Sequence, residues 1–294
     1  MPNRGHIPAG EAQRPRDAPG WLKAEPLLDS VEDVARLARK LAKREHASAR
    51  AVHRLRGAAR RAEARLAALG VAWPSLEPAA DRVRRPIVRL RRLAGRVRDA
   101  DVMVALVKSG VLGSPPGDPE HKRLRRAIAQ RRREDETELL DRAKRLVRRV
   151  ESRAGELEEL AQASGEADAW PAMLAAIRRV ESRLGQELAD PDALHRLRLS
   201  LKRLRYTAEA IGNSLPLRGS PLASLLERMG SVSDLSMASR FVRGLAARAS
   251  KARGRELESL ANAADAMARD ASARLSPQAL RKCQALLRAI KRGR

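Results

Sequence analysis

Two short stretches of the chain place a histidine beside several cations at spacings that let them act together. In the first, His53, Arg56 and Arg60 follow one another at intervals of three and four. In the second, His195, Arg198, Lys202 and Arg205 are spaced three, four and three apart, and Tyr206 comes next. At about 100° per residue each set lies on one face of a helix. An apolar face adjoins each row: Val52, Leu55, Ala59 and Leu66 in the first stretch, and Leu194, Leu197, Leu201, Leu204 and Ala208 in the second. A cation row beside a face that must be buried is partly held in place, unlike a row of freely solvated side chains. The chemistry that suits such rows is phosphate recognition, because a guanidinium forks across two oxygens and stays charged at any physiological pH. Arg196 and Arg203 point the other way on the second helix and are expected to face solvent, and Glu63 stands where the second row has Arg205.

A helix predicted over 79–97 adds further rows. Arg85, Arg89, Arg92 and Arg96 share one face and join the candidate set, while Arg84, Arg91 and Arg98, seven apart, lie across the apolar strip of Ile87, Leu90 and Val97. Unneutralised stacks of this kind destabilise a helix by about 0.2–0.5 kcal/mol per pair, which argues for an anionic partner. Three roles are open to His53 and His195: metal ligand, buried hydrogen-bonding group and phosphate contact. Surrounding arginines make the metal role the weakest. Tyr206 either packs between helices or touches phosphate. Asp99 and Asp234 are read as N-caps, and Asp101 as a partner that orients Arg98. Gly-rich phosphate loops, Ser/His/Asp arrangements and Cys-x-x-Cys pairs are absent from the sequence. The expectation is a protein that is not an enzyme and has no metal and no cofactor. His6, His46 and His121 belong to no constellation and are expected to be exposed. Cys283, the one cysteine, reads as a buried side chain of the last helix and fits a reducing compartment.

Composition points the same way. Sixty-one Lys and Arg against 36 Asp and Glu leave a net charge of +25, which calls for a polyanion: nucleic acid, anionic lipid or inorganic polyphosphate. Aromatic residues are 2% of the chain, too few for the stacking platforms of single-stranded nucleic-acid binders. Lys or Arg interrupts every apolar run before the ~18 residues of a membrane span. The N-terminus has no apolar signal core, so a cytoplasmic location is expected. Thr occurs only at Thr137 and Thr207 while Ala, Leu, Arg and Glu dominate, so the fold class is all-α.

Helices are predicted near 30–47, 50–70, 79–97, 100–110, 119–162, 170–189, 191–212, 219–230, 234–252, 255–272 and 276–292, the first opened by a Ser30–Asp33 capping box. Residues 1–28, rich in Pro and Gly, read as a disordered tail, and 291–294 as a short basic tail. The sequence also repeats. Val52-His-Arg-Leu-Arg is answered by Leu194-His-Arg-Leu-Arg, and Gly95-Arg-Val-Arg-Asp99 by Gly230-Ser-Val-Ser-Asp234. Two homologous helical bundles, 29–163 and 170–290, related by a pseudo-twofold axis, are the expected architecture of one domain.

These motifs resemble those of the conserved histidine α-helical domain, or CHAD, family. Its patterns His-x-x-Arg-x-x-x-Arg and His-x-x-Arg-x-x-x-Lys-x-x-Arg-Tyr match His53, Arg56 and Arg60, and His195, Arg198, Lys202, Arg205 and Tyr206. Its Leu-Gly-x-x-Arg-Asp-x-Asp-Val element appears as Ala94-Gly95-Arg-Val-Arg98-Asp99-Ala-Asp101-Val102; the second copy has Ser233 in place of the Arg. The resemblance covers about residues 30–290. It implies two four-helix bundles whose basic faces line a central cavity or groove that binds inorganic polyphosphate, and association with polyphosphate granules in some members. The domain often follows a triphosphate tunnel metalloenzyme domain, of which residues 1–30 carry no trace. The expectation is therefore a standalone, non-catalytic polyphosphate-binding module; the rival reading is a nucleoid-associated-like basic helical protein that binds nucleic acid.

Overall fold

A side-chain cap or a proline begins each α-helix that starts between Ala49 and Pro191. In the computed structural model, which describes residues 21–112, 118–211 and 221–291, α1 (Asp29–Ala42) is followed by α2 (Ala49–Ala72), whose first turn is capped by the Ser48 hydroxyl accepting from the Ala51 amide at 3.3 Å. Next come α3 (Glu77–Lys108), α4 (Pro119–Gln162), α5 (Trp170–Leu184), α6 (Pro191–Ala210), α7 (Pro221–Ala246) and α8 (Lys251–Lys291). Asp118 caps α4 and Asp190 caps α6, each followed by a proline whose missing N–H would have been an orphan there. Among the described residues the fold is all-α apart from one two-residue antiparallel pairing of β1 (Trp21–Leu22) with β2 (Ala167–Asp168).

Several predicted breaks do not occur. Asp99 and Asp234 are interior residues of α3 and α7, so neither is an N-cap, and the 100–110 and 234–252 segments continue the helices before them. Residues 255–272 and 276–292 fuse into α8, which runs through Pro277. The Ser30 capping box does not form either, because α1 begins at Asp29 and the Ser30 hydroxyl donates to the Leu27 carbonyl. The physical reason is tertiary: packing on both sides of a long helix outweighs the weak helix propensity of a Gly or Ser. Pro86 inside α3 has a specific compensation. It leaves the Arg82 carbonyl without its usual donor, and the Arg153 guanidinium of α4 fills that place at 2.8 Å.

The predicted 1–28 tail is structured from residue 21: after β1, a 3₁₀ turn at Glu25–Leu27 buries Ala24 and Leu27 in the core. Its first twenty residues, with His6, lie outside the described residues, as do 292–294 of the basic tail. Trp73 and Trp170 are buried at helix ends, and the Trp73 indole N–H donates to the Gly165 carbonyl at 2.9 Å. His121, expected to be exposed, is 4% exposed.

Among the described residues, buried apolar side chains form three clusters. One joins α1, α2, the first part of α3 and the second part of α4, and includes Leu55, Leu66, Ile87, Leu90 and Leu139. A second joins α5, α6, the start of α7 and the end of α8, with Met173, Leu197, Leu204, Met229 and Cys283. The third holds together the remaining ends of the four long helices, with Met103 of α3, Ile128 of α4, Val242 of α7 and Ala261 of α8. The long helices thus serve two cores each, and the third core fixes the first half of the chain to the second.

Ile128 is fully buried in that third core. Ile128→Ala should lower the unfolding free energy by about 2–5 kcal/mol in urea titrations. Leu160→Ala, at a site 43% exposed, should change it by less than about 0.5 kcal/mol.

Candidate anion-binding cleft

The helices that carry the repeated signatures meet one another: α2 packs against α6, and α3 against α7. Each cation row lies next to an apolar strip buried in its own core, so its stems are fixed before any ligand arrives. Leu55 and Ala59 flank the row of α2, and Leu197, Leu201 and Leu204 that of α6. Both rows therefore face the junction between the two halves.

The electrostatics of the junction record this crowding. Burial, reinforced by Arg198, Arg60, Arg205 and Arg56, brings the Lys202 ammonium down to about 7. Arg56 falls to about 10 through burial and then Arg60, with Asp99 opposing. Arg60 and Arg198 are lowered as well, burial again leading. These influences cross between α2 and α6, so the two rows form one field. Two acids lie within it. Asp99 faces Arg56 and Arg240, and Asp234 faces Arg198 and Arg98, yet burial raises both carboxyls.

His195 is held at about 4 by burial, then by Arg198, Arg60 and Arg240, and is neutral at physiological pH. Its Nδ1 lies 2.9 Å from the Ser233 hydroxyl, which donates its own proton to the Met229 carbonyl at 2.8 Å. Nδ1 therefore carries the ring proton and Nε2 a lone pair. The imidazole ties α6 to α7. Ser233 stands where the first copy has Arg98, so the departure from the motif supplies this acceptor. His53 is exposed, and burial and then Arg98 lower it. Arg198 donates to the Leu226 carbonyl at 3.1 Å and lies over Gly230, where an added Cβ would come within 3.0 Å of its Nη2. The glycine of the second signature makes room for this guanidinium.

A cleft of about 300 Å³ opens at the junction, with Arg60, Arg91, Arg179, Lys202, Arg203 and Tyr206 among its walls. Tyr206 is buried, and the Arg205 guanidinium covers its ring 4.8 Å from the centroid. Arg205 also lies 3.4 Å from Glu209, which turns it toward the flank.

The remaining expectations divide. Arg203 does not face solvent: it is half-buried in the cleft wall beside Arg179 and Arg84 and lowered to about 10. Arg196 is exposed at the rim, bonded to Gln186. Of the two rows on α3, Arg84, Arg91 and Arg98 reach the junction: Arg84 and Arg91 line the cleft, and Arg98 faces His53. Arg85 shares Asp81 with Arg84 but does not line the cleft, Arg96 is paired with Asp135 and Glu138, and Arg89 and Arg92 line a different groove. Arg91 is joined to Glu63 of α2, the acid that replaces a cation in the first row. Asp101 accepts from Arg132 of α4 at 2.8 Å and does not orient Arg98; Arg132 also binds Glu136 and the Ala47 carbonyl, bracing α4 against the α1–α2 loop. Arg179 and Arg183 of α5, which also line the cleft, carry no motif and look like an ordinary solvated pair in the sequence. Among the described residues no group of three or more His, Cys, Asp or Glu is placed to hold a metal ion.

A family model described as "CHAD domain" matches residues 27–243. Among solved structures, the fold is similar to the crystal structure of the CHAD domain from the plant Ricinus communis, at 21% identity over 97% of this chain and 98% of that one, with a TM-score of 0.65. It is also similar to PptA from Streptomyces chartreusis, at 18% identity over 90% and 99% of the two chains, with a TM-score of 0.57. No curated protein matches the chain.

The lowered Lys202 has a testable consequence in the free protein. An unfolded chain keeps this proton up to the ordinary value of 10.5, whereas the folded protein releases it near 7. Between those values the unfolded state binds more protons, so this group adds stability as pH rises through that window. Lys202→Met should therefore raise the melting temperature, most at and below pH 7, with a gain that shrinks as pH approaches 10.5. Melts of both proteins across that range check the prediction; a gain that grows with pH contradicts it.

Proposed function

The chain belongs to the CHAD domain family, and we propose that it is a non-catalytic module that binds inorganic polyphosphate in the cleft between α2, α3, α5 and α6. The observation that carries this reading is the convergence of Arg56 and Arg60 with Arg198 and Lys202, half-buried and mutually repelling, on one junction, where Arg60 and Lys202 line the cleft. A chain of phosphates supplies closely spaced negative charge without needing base recognition, and it relieves that repulsion as it binds. Directional donors follow from the forked guanidinium groups, and the fixed apolar backing keeps the entropy of ordering them low. Association with polyphosphate granules belongs to the same reading: a module that holds the polymer without cleaving it goes where the polymer accumulates.

Nucleic acid is the rival ligand, since the charge alone suits it equally well. What favours polyphosphate is the character of the cleft wall. Tyr206 is the aromatic among the cleft residues, and it is buried under Arg205, so it offers bases no open face on which to stack. No described helix is long and apolar enough to cross a membrane.

Competition at physiological salt tests the assignment. Long-chain polyphosphate should displace a labelled polyphosphate probe at lower total phosphate than duplex or single-stranded DNA does; the reverse order assigns the cleft to nucleic acid. A second test separates geometry from charge. Gly230→Ala keeps every charge but pushes on the far end of Arg198. Polyphosphate affinity should fall by up to about tenfold, less than for Arg198→Ala, while the melting temperature does not fall, because the end of a flexible side chain moves aside and alanine favours a helix interior over glycine. Equal affinity of the glycine and alanine proteins would mean that Arg198 is not a directional contact.

A further inference from the structure

A second groove lies on the other side of α3. It encloses about 830 Å³ between α3 and α4 and is walled by Arg89, Arg92 and Arg96 on one side and Arg142, Arg145 and Arg149 on the other. Both triplets are spaced three and four, so each is a row along its own helix, and the two rows flank a floor that includes Leu93 and Leu146. The charge of the groove is compensated only in part. Glu138 pairs with Arg96 and Arg142 and Asp135 with Arg96, whereas no acidic partner is found among the described residues for Arg89, Arg92, Arg145 or Arg149. At 1.5 Å per residue each row spans about 10 Å, room for more than one phosphate.

The groove is also connected to the cleft. Arg91 lines both. Arg56 borders the groove beside Gly95 and Asp99 while acting on Lys202 and His53 at the junction, and its Nε is buried without a hydrogen-bond partner. The two openings therefore share a wall of cations, and nothing acidic intervenes at that wall except Asp99 and the Glu63 held by Arg91.

We infer that the α3–α4 groove is a second polyphosphate-binding segment, continuous with the cleft across Arg56 and Arg91, so that one long chain occupies both while a short chain occupies the cleft alone. The inference rests on the polyphosphate reading of the cleft and adds a preference for chain length to it. Once one end of a chain is seated in the cleft, its contact with the groove is effectively intramolecular, and affinity grows with length until both segments are filled.

The experiment compares tripolyphosphate with long-chain polyphosphate on three full-length proteins: the unaltered chain, the groove variant Arg142→Gln, Arg145→Gln, Arg149→Gln, and a charge-matched control, Lys122→Gln, Arg126→Gln, Arg133→Gln, which alters exposed residues of the same helix. The groove variant should bind long chains about tenfold more weakly, with a shallower dependence on salt, yet bind tripolyphosphate as the unaltered protein does. The control should differ little from the unaltered protein with either ligand. A second measurement needs no substitution: modification of arginines by phenylglyoxal, read by mass spectrometry, should show Arg145 and Arg149 protected by long chains and not by tripolyphosphate. Equal losses in groove variant and control, or no protection of Arg145 and Arg149, overturn the groove and leave the cleft reading intact. Failure of the unaltered protein to bind either phosphate overturns the cleft reading itself. Stronger binding of duplex DNA with the same dependence on Arg142, Arg145 and Arg149 overturns the assignment of the groove to polyphosphate.

Discussion

Repulsion among cations held at close range is the interaction around which this molecule is arranged. Arg56, Arg60, Arg198 and Lys202 would separate in water, yet helix packing keeps them together, and burial followed by their repulsion brings the Lys202 ammonium down to about 7. The restraint comes from the neighbouring apolar positions. Leu55, Leu197, Leu201 and Leu204 are all essentially inaccessible to solvent, and each contributes about 1.5–3 kcal/mol through burial. Those gains offset the repulsion in the free protein and leave the cations positioned, so that an anion meets a site that needs little rearrangement.

The long helices make this arrangement possible. α3, α4, α7 and α8 each pass from a core within one half of the chain into the third core shared by both halves. That shared core presses α3 against α7, while α2 meets α6 nearby. Had the helices ended at Gly95 and Gly230, the two rows would sit on separate bundles with a hinge between them, and their mutual repulsion would open it. Continuous helices transmit the hold of Met103, Ile128 and Val242 to the junction.

Small differences between the two copies of the signature then acquire meaning. Ser233, standing in the place of Arg98, accepts from His195 and commits that ring to joining α6 and α7. Glu63, standing in the place of a cation, anchors Arg91 across the α2–α3 interface. One copy thus spends a motif position on rigidity where the other keeps a charge. The copies are specialised, and the charge that remains is unevenly distributed around the junction.

Much of this was legible in the chain itself. Scarce strand formers and continuous 3.6-residue periodicity determined an all-α fold. The spacing of His53, Arg56 and Arg60, and of His195, Arg198 and Lys202, determined which side chains share a face, because neighbours on one helix are set by local geometry alone. The tertiary structure decided everything that depends on which face meets another helix. Local spacing treats Arg85, Arg89, Arg92 and Arg96 as equivalent to Arg84, Arg91 and Arg98, and only the packing of α3 against α2 and α7 brings the second row to the junction. The same packing buried Arg203, recruited Arg179 from an unremarked stretch of α5, and carried α3 and α7 through segments that read locally as breaks. A helix end is a balance of about one kcal/mol per residue in the isolated chain, and contacts made by distant residues are large enough to reverse it.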